Sequence, residues 1–541
     1  MSELVTPARR HLTTRRGFPG MRIRLHDLLA DAAGRSGDAP AVTYREDTLS
    51  YAELWRAVQA HGAGLQRLGL ARGERVAVYL DKRIETVTAI FATSAAGGTF
   101  VPVNPVLRAR QVGYILGDCD VRVLVTTADR LETLRGELEQ VKSLERVIVV
   151  GGTTAGPPAD LRYAVTSWDE LAVDQDLPAG AAIDVDMAAI LYTSGSTGKP
   201  KGVVLSHRNL LAGAESVSQY LEMTAGDVVL AALPLSFDAG FSQLTTSFAV
   251  GAHVVLVNYL LPRDVARLCT RHGVTGLTCV PPLWIQLAEQ SWPEETGRRL
   301  RYFANTGGRM PKSTLDKLRS LFPAARPYLM YGLTEAFRST YLDPAEVDRR
   351  PDSIGKAVPN AEILVVRPDG SRCDPGEEGE LVHRGALVAM GYWNDPKRTA
   401  ERFRPVPGAE GALSTELAVW SGDSVVRDEE GFLYFVGRTD EMIKTSGYRV
   451  SPTEVEEVAY STGRVRDAVA LGVPDPQLGQ RIVLIVSPAG DDTLDAADLK
   501  ALLKKELPLY MVPREVVVRP DLPRSPNGKF DRNLLRQELN A

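Results

Sequence analysis

An apolar run at 187–191 leads directly into Tyr192-Thr193-Ser194-Gly195-Ser196-Thr197-Gly198-Lys199-Pro200-Lys201-Gly202. A strand followed by a loop of that composition constrains the fold more than any other stretch of the chain. Gly195, Gly198 and Gly202 allow positive φ and close backbone approach to a ligand. Thr193, Ser194, Ser196 and Thr197 supply hydroxyl donors, and Lys199 and Lys201 supply positive charge. Backbone amides in such a turn form an anion-binding concavity, so a phosphate-holding loop is expected at the end of a strand. The spacing is not that of a Walker loop. Two residues separate Gly195 from Gly198 where four are required, and Pro200 follows Lys199 where Ser or Thr belongs. A P-loop kinase or GTPase is therefore disfavoured. So is a flexible linker, which gives no reason for two lysines flanking a proline after an apolar strand.

The chain has 541 residues, more than one core can serve when domains run to about 150 residues. From residue 75 short β-branched runs alternate with longer amphipathic ones, at 75–79, 84–96, 100–103, 108–117 and 121–126, and the rhythm continues at 147–150 and 188–191. Such alternation predicts parallel sheet covered by helices. Past Arg438 the pattern changes. Ser451, Pro452 and Glu454 predict a helix start with serine as cap, proline in the first turn and glutamate completing a capping box. Strands are expected at 468–473, 482–486 and 516–518, and Leu499, Leu502 and Leu503 share a helix face. The expected fold is α/β. A disordered basic tail over 1–22 precedes a large N-terminal domain of βαβ layers plus a β-rich part over 23–439, and a small mobile α+β lid domain follows over 440–541.

A net charge of −5 gives no general attraction to nucleic acid or anionic lipid. No apolar run approaches the ~18 residues a membrane span needs, and Arg9, Arg10, Arg15, Arg16 and Arg22 are followed by no signal-peptide core. Cys119, Cys269, Cys279 and Cys373 lack any Cys-x-x-Cys pairing, which speaks against a disulfide scaffold or a zinc site. The expectation is a soluble, cytoplasmic enzyme without a nucleic-acid partner.

Four further segments follow the loop in order: Tyr331-Gly332-Leu333-Thr334-Glu335, Ser421-Gly422-Asp423, Gly437-Arg438-Thr439-Asp440 with Lys444, Gly447 and Arg449, and Pro526-Asn527-Gly528-Lys529. Together with Gly379-Glu380-Leu381 and Gly391-Tyr392-Trp393, this set resembles the AMP-forming adenylating superfamily from about residue 26 to 535. That superfamily contains acyl-CoA synthetases, stand-alone and nonribosomal-peptide adenylation enzymes, and luciferases. The resemblance implies an ATP- and Mg²⁺-dependent ligase that joins a carboxylic acid to AMP, releases pyrophosphate, and passes the acyl group to a phosphopantetheine thiol. A carboxylate is a poor acyl donor, so the mixed anhydride supplies a leaving group. Charge then accumulates on phosphoryl oxygens, where preorganised cations and donors do most for the rate.

By the same resemblance, Lys529 bridges the substrate carboxylate and the α-phosphate, Thr334 contacts phosphate, and Glu335 holds Mg²⁺. Tyr331 stacks on adenine beside Gly332. Gly307, Gly308 and Arg309 belong to a stretch where adenine and substrate lie close to backbone. Asp423 accepts the ribose hydroxyls, and Arg438 is a cation near ribose or phosphate. Asp440 sits at the hinge, about which rotation withdraws Lys529 and brings Gly447 to line a pantetheine tunnel. A luciferase-like oxygenase shares the first step. A catalytically silent nucleotide-binding protein is disfavoured because Lys529, Glu335 and Asp423 are all present.

The stretch Leu233-Pro234-Leu235-Ser236-Phe237-Asp238-Ala239-Gly240 bears on the acid. Amino-acid-activating relatives carry Phe-Asp at the place of Phe237 and Asp238, the aspartate receiving the substrate ammonium, and Arg338 falls where those relatives line the side-chain pocket. If both charges face the pocket, an acid with an amine and a further acidic or polar group is expected. If Arg338 only pairs with Asp238, the pocket is neutral and a plain acyl chain fits. The runs 236–246 and 330–341 also resemble acyl-CoA ligases associated with exosortase systems. CoA is the first acceptor to consider. The alternative is a stand-alone amino-acid adenylating enzyme that loads an acyl or peptidyl carrier protein, which would act in trans because no carrier-like serine motif follows Lys529.

Overall fold

The computed structural model describes residues 22–152, 161–174, 177, 182–193, 200–408, 415–438, 442–489, 494–523 and 530–540. Two sheets carry the N-terminal part. One has eight strands in the order Gly391–Tyr392, Lys201–Ser206, Met187–Thr193, Thr99–Pro102, Arg75–Val78, Val121–Thr127, Arg146–Val150 and Ala164–Ser167. Its middle is parallel, as the alternation in the sequence predicts, because each strand returns through a covering helix. Met187–Thr193 and Lys201–Ser206 instead pair antiparallel, with Tyr192 opposite Gly202 and Thr193 opposite Lys201. The glycine- and hydroxyl-rich segment thus joins two neighbouring strands, and its centre, Ser194, Gly195, Ser196, Thr197, Gly198 and Lys199, lies outside the described residues.

The second sheet has fourteen strands. Val228–Ala231, His253–Leu256, Gly276–Cys279, Tyr302–Asn305 and Arg326–Tyr331 run parallel. From Thr340–Leu342 onward the sheet turns antiparallel and takes in Leu417–Arg427 and Leu433–Arg438. One hydrophobic core joins the two sheets, since Phe100 and Leu191 of the first and Val229 and Val254 of the second belong to the same cluster as Phe91, Phe241 and Phe248 on helices. Helix Ile84–Ala95 is buried on every side from Thr86 onward, and its buried Thr88 and Thr93 hydroxyls return to helix carbonyls of their own turn.

A third, five-stranded sheet over 443–518 forms the smaller C-terminal domain. Its core includes Leu499 and Leu503 from helix Ala496–Glu506, while Leu502 is half-buried. The expected capping box does not form. Helix Pro452–Ser461 starts where the sequence places it, with proline in the first turn, but Ser451 makes no side-chain cap bond, and Glu454 reaches across to the N-terminal part instead.

Arg22, assigned by sequence to the tail, pairs with Asp31 and donates to the Ala249 carbonyl; residues 1–21 lie outside the described residues. Among the described residues no helix is long and apolar enough to cross a membrane.

Candidate active site

Strand ends of both large sheets and the C-terminal hairpin around Gly447 enclose a cavity of about 560 Å³. Thr193, Phe237, Asp238, Gly307, Thr334 and Arg338 all line it, so residues scattered over the sequence converge. Tyr192 and Trp393 anchor the rim: the Tyr192 hydroxyl donates to Asp118 Oδ2 at 2.5 Å, and Trp393 Nε1 to the Asp118 carbonyl at 2.9 Å. Thr193 Oγ1, at the start of the glycine-rich loop, is buried and has no hydrogen-bond partner among the described residues.

Lys201, at the far end of that loop, places its ammonium 2.9 Å from Glu335 Oε1. The Tyr392 hydroxyl donates to the same carboxylate oxygen at 2.6 Å, and Lys201 Nζ sits 4.1 Å from the centre of the Tyr392 ring. Burial of Glu335 would raise its carboxyl, but the charges of Lys201, Arg402 and Arg449, together with the tyrosine bond, hold it well below the ordinary range. Glu335 is therefore a carboxylate at neutral pH. Burial lowers Lys201 in turn, against the pull of Glu335. Sequence reasoning noted Tyr392 only as part of a connecting phrase. The signal was Gly391, whose φ is 136° and where an added Cβ would meet Thr399 at 2.7 Å, so glycine is needed to bring Tyr392 inward.

Tyr331 and Asp423 meet directly, the phenol donating to Asp423 Oδ2. Both are buried. The turn before Asp423 is fixed by Ser421 Oγ, which donates to the Leu381 carbonyl at 2.6 Å and accepts from the Asp423 amide at 3.1 Å. Glu380 accepts from the Gly422 amide at 2.8 Å, which gives the Gly379-Glu380-Leu381 phrase its structural reason. Strand register sets Asp423 opposite Arg438. The Arg438 side chain, Thr439, Asp440 and Lys529 lie outside the described residues. Gly308 packs against Pro281, which an added Cβ would approach to 3.2 Å. Arg309 is not brought to the cavity; its largely exposed side chain pairs with Asp352 at the surface, because the chain after Gly308 turns outward toward helix Lys312–Leu321.

Asp238 begins helix Asp238–Val250 directly after Phe237. Thr334 Oγ1 lies 3.5 Å from its Oδ1, and Arg338 Nη1 lies 3.9 Å from its Oδ2. Arg338 makes its shorter bond to Thr306 Oγ1, at 3.0 Å, while its Nε is buried without a hydrogen-bond partner among the described residues. Burial raises the Asp238 carboxyl, with Arg338 opposing. The arginine reaches the cavity through a backbone reversal at Phe337, φ 56°. Such a conformation costs a non-glycine residue about 1–3 kcal/mol. The Phe337 ring is accepted only because Gly213 faces it, where a Cβ would come within 2.5 Å.

Gly447 enters from the C-terminal domain. Its φ is 81°, and an added Cβ would meet Val280 at 2.9 Å; at Gly307, φ 77°, an added Cβ would meet the same valine at 3.2 Å. Tyr448 sets its ring edge-on to Phe237 with centroids 5.3 Å apart and stacks on Tyr510 at 3.8 Å. Neither tyrosine was singled out from the sequence, nor was Lys82, whose buried ammonium donates to the Ala232 and Leu233 carbonyls at 2.8 and 3.2 Å. Burial lowers Lys82 to about 7. Lys82 and Tyr510 stand outside any motif, and Tyr448 lies between the motif residues Gly447 and Arg449.

The fold and cavity are those of an enzyme that brings a nucleotide and an acid together under a second domain. Residues 29–393 match the AMP-binding enzyme family and 454–529 the AMP-binding enzyme C-terminal domain. The chain belongs to this family, and with it to the AMP-forming ligases, as the order of its motifs led us to expect. It is 31% identical over 525 residues to an L-proline–[L-prolyl-carrier protein] ligase of Pseudomonas fluorescens, covering 95% of this chain and 99% of that one. It is 29% identical over 546 residues to a long-chain-fatty-acid–CoA ligase of Salmonella typhimurium, covering 95% and 94%. A solved structure of o-succinylbenzoate CoA synthetase from Bacillus subtilis, bound to a product analogue, matches with a TM-score of 0.80 at 26% identity over 94% of this chain and 98% of that one.

Proposed function

We propose that this ligase activates an acid bearing a cationic amine as its acyl-adenylate and transfers the acyl group to a phosphopantetheine thiol. The observation that carries the reading is Asp238, a largely buried carboxyl at the cavity wall with the Arg338 guanidinium 3.9 Å away. A substrate ammonium would complete that site, because a buried carboxylate is costly until a close cation joins it. Arg338, which lines the same cavity, would face an acceptor oxygen elsewhere on the acid. The proline-specific relative acts on an acid of this amine-bearing type.

In the first step an oxygen of the substrate carboxylate bonds to the α-phosphorus of ATP, and the bond from that phosphorus to the β-bridging oxygen breaks, releasing pyrophosphate. In the second, thiol sulfur bonds to the acyl carbon as the bond to AMP oxygen breaks, and the thiol proton leaves to solvent. Lys201, Thr193 and Thr334 would hold phosphate oxygens, Tyr331 would face adenine, and Asp423 with Arg438 would hold the ribose. Lys529 would bridge the carboxylate and α-phosphate. The chemistry of Glu335 fits Mg²⁺: it is buried and ionised, and Mg²⁺ would take the rest of its shell from water and phosphate. When bound, the metal neutralises charge on the phosphates. The four buried, unbridged cysteines suit a reducing cytoplasm.

A second reading, an amine-free acid with CoA as acceptor, draws support from the Arg338–Asp238 approach, which would leave the pocket neutral, and from the fatty-acid relative. ATP–pyrophosphate exchange over fatty, aryl, α-amino and β-amino acids, followed by intact-mass analysis with CoA and with a holo carrier protein, separates the two. Exchange with amine-free acids alone overturns the first reading.

A further inference from the structure

Glu454 departs from the local rule its position obeys elsewhere. At the third position of a helix that starts after serine, a glutamate ordinarily turns back to the cap residue's amide, and Glu53 and Glu170 do so in this chain. Glu454 instead accepts from Gln111 Nε2 at 2.8 Å, on helix Ala109–Asp118 of the N-terminal domain, and Ser451 Oγ is left buried without a partner among the described residues. A residue that gives up its local role for a distant contact marks a functional constraint.

The contact sits at the edge of the cavity, which Gln111, Glu454, Tyr510, Gly447 and Tyr448 all line. Gln111 Nε2 also reaches the Met511 sulfur at 3.8 Å, and Arg108, one turn away, donates to the Lys504 carbonyl at 3.3 Å. The ionisable groups near Glu454 are Glu457 on its own helix and Tyr510 of the same domain, with Lys444 and Arg449 on the hairpin lining the same cavity. No cation lies within ion-pair distance of Glu454 among the described residues.

We propose that Glu454 is a positioning residue for thiol transfer: through Gln111 it holds the Gly447–Tyr448 hairpin against the acid pocket, and it does so while its carboxyl carries a proton. The inference rests on the ligase reading above. Burial pushes this carboxyl up to about 7, Gln111 opposing and Glu457 adding. Undocked and in water, it returns to its ordinary value near 4.5. Below that pH the group is protonated in both arrangements and docking is undisturbed. Between the two values docking takes up a proton and weakens as pH rises, by up to roughly 300-fold in the docking equilibrium, and above about 7 the loss levels off.

The test compares Glu454→Gln with the native enzyme from pH 5.5 to 8.5. It follows pyrophosphate exchange with the best acid, single-turnover transfer from preformed acyl-adenylate to CoA, and hydrogen exchange of 443–450 corrected for intrinsic rates. The ratio of transfer rates, variant to native, is expected to rise at least tenfold between pH 5.5 and 8.5, while the exchange ratio stays flat. Hairpin protection falls with pH in the native enzyme only. Gln111→Ala, on the other helix, slows transfer about tenfold at low pH and leaves exchange intact. A transfer ratio that does not change with pH, or hairpin protection that is flat in the native enzyme, overturns the proposal. Absence of exchange with every acid would instead sink the ligase reading, and the hydrogen-exchange arm would still decide this one.

Discussion

Lys201 and Glu335 stand 134 positions apart in the chain and 2.9 Å apart in space. Their pairing ties the end of the glycine-rich loop to the segment after strand Arg326–Tyr331, so these two parts of the site form one unit.

Removing one partner of a buried ion pair typically costs about 3–5 kcal/mol, because the remaining charge is uncompensated. Lys201→Met is expected to lower the melting temperature accordingly and to abolish detectable pyrophosphate exchange, while the double variant Lys201→Met, Glu335→Gln recovers part of the stability without the activity. Thermal melts on the three proteins check this. The pair also carries a pH signature. The Glu335 carboxyl is held below its ordinary 4.5, so its contribution is complete above that value and drains away as pH falls through the folded-state value. Urea melts from pH 7 down to 3 should show the native protein losing more stability than the double variant.

Asp238→Ala is expected to reduce kcat/KM for amine-bearing acids by about 100-fold, the scale for leaving a buried charged group unpaired, and to leave amine-free acids within about threefold. Unchanged discrimination would remove Asp238 from acid recognition.

Tyr331→Phe strips the hydroxyl that donates to buried Asp423. A hydrogen bond to a charged group is worth about 1.5–3 kcal/mol, so KM for ATP should rise about tenfold or more with kcat little altered. A fall in kcat at constant KM would contradict the placement of this pair beside the bound nucleotide.

Gly447→Val adds a side chain where φ is 81° and Val280 already stands 2.9 Å from the first added carbon. Transfer to thiol should slow at least tenfold with pyrophosphate exchange preserved. Lys529→Ala should do the reverse, abolishing exchange yet sparing transfer from supplied acyl-adenylate. Equal loss of both steps in either variant would refute the division of labour between the two loops.

Much of the architecture was legible because it rests on period and punctuation. The run 84–96 reads as helix and the helix spans Ile84–Ala95; the strands at 75–79 and 121–126 fall within a residue of their positions. Motif order announced which residues would converge, and Thr193, Thr334, Asp238 and Arg338 do meet at one cavity. What escaped the sequence depends on tertiary approach. Nothing in Tyr392 itself distinguishes it from any other tyrosine until Gly391 folds it onto Glu335, and the surface pair of Arg309 with Asp352 joins residues 43 positions apart. At Ser451 a sound local rule was overridden, since Glu454 finds a partner beyond its own helix.

Val280 is the side chain that an added Cβ would meet at both Gly307 and Gly447, and in the proposed scheme it bears on both half-reactions. Any attempt to widen or narrow the space for the acid by trimming this side chain also resets how far the hairpin can advance. In the proposed scheme, selectivity for one reactant and throughput to the other are mechanically linked, and re-engineering for new acids is expected to require compensating changes on the hairpin.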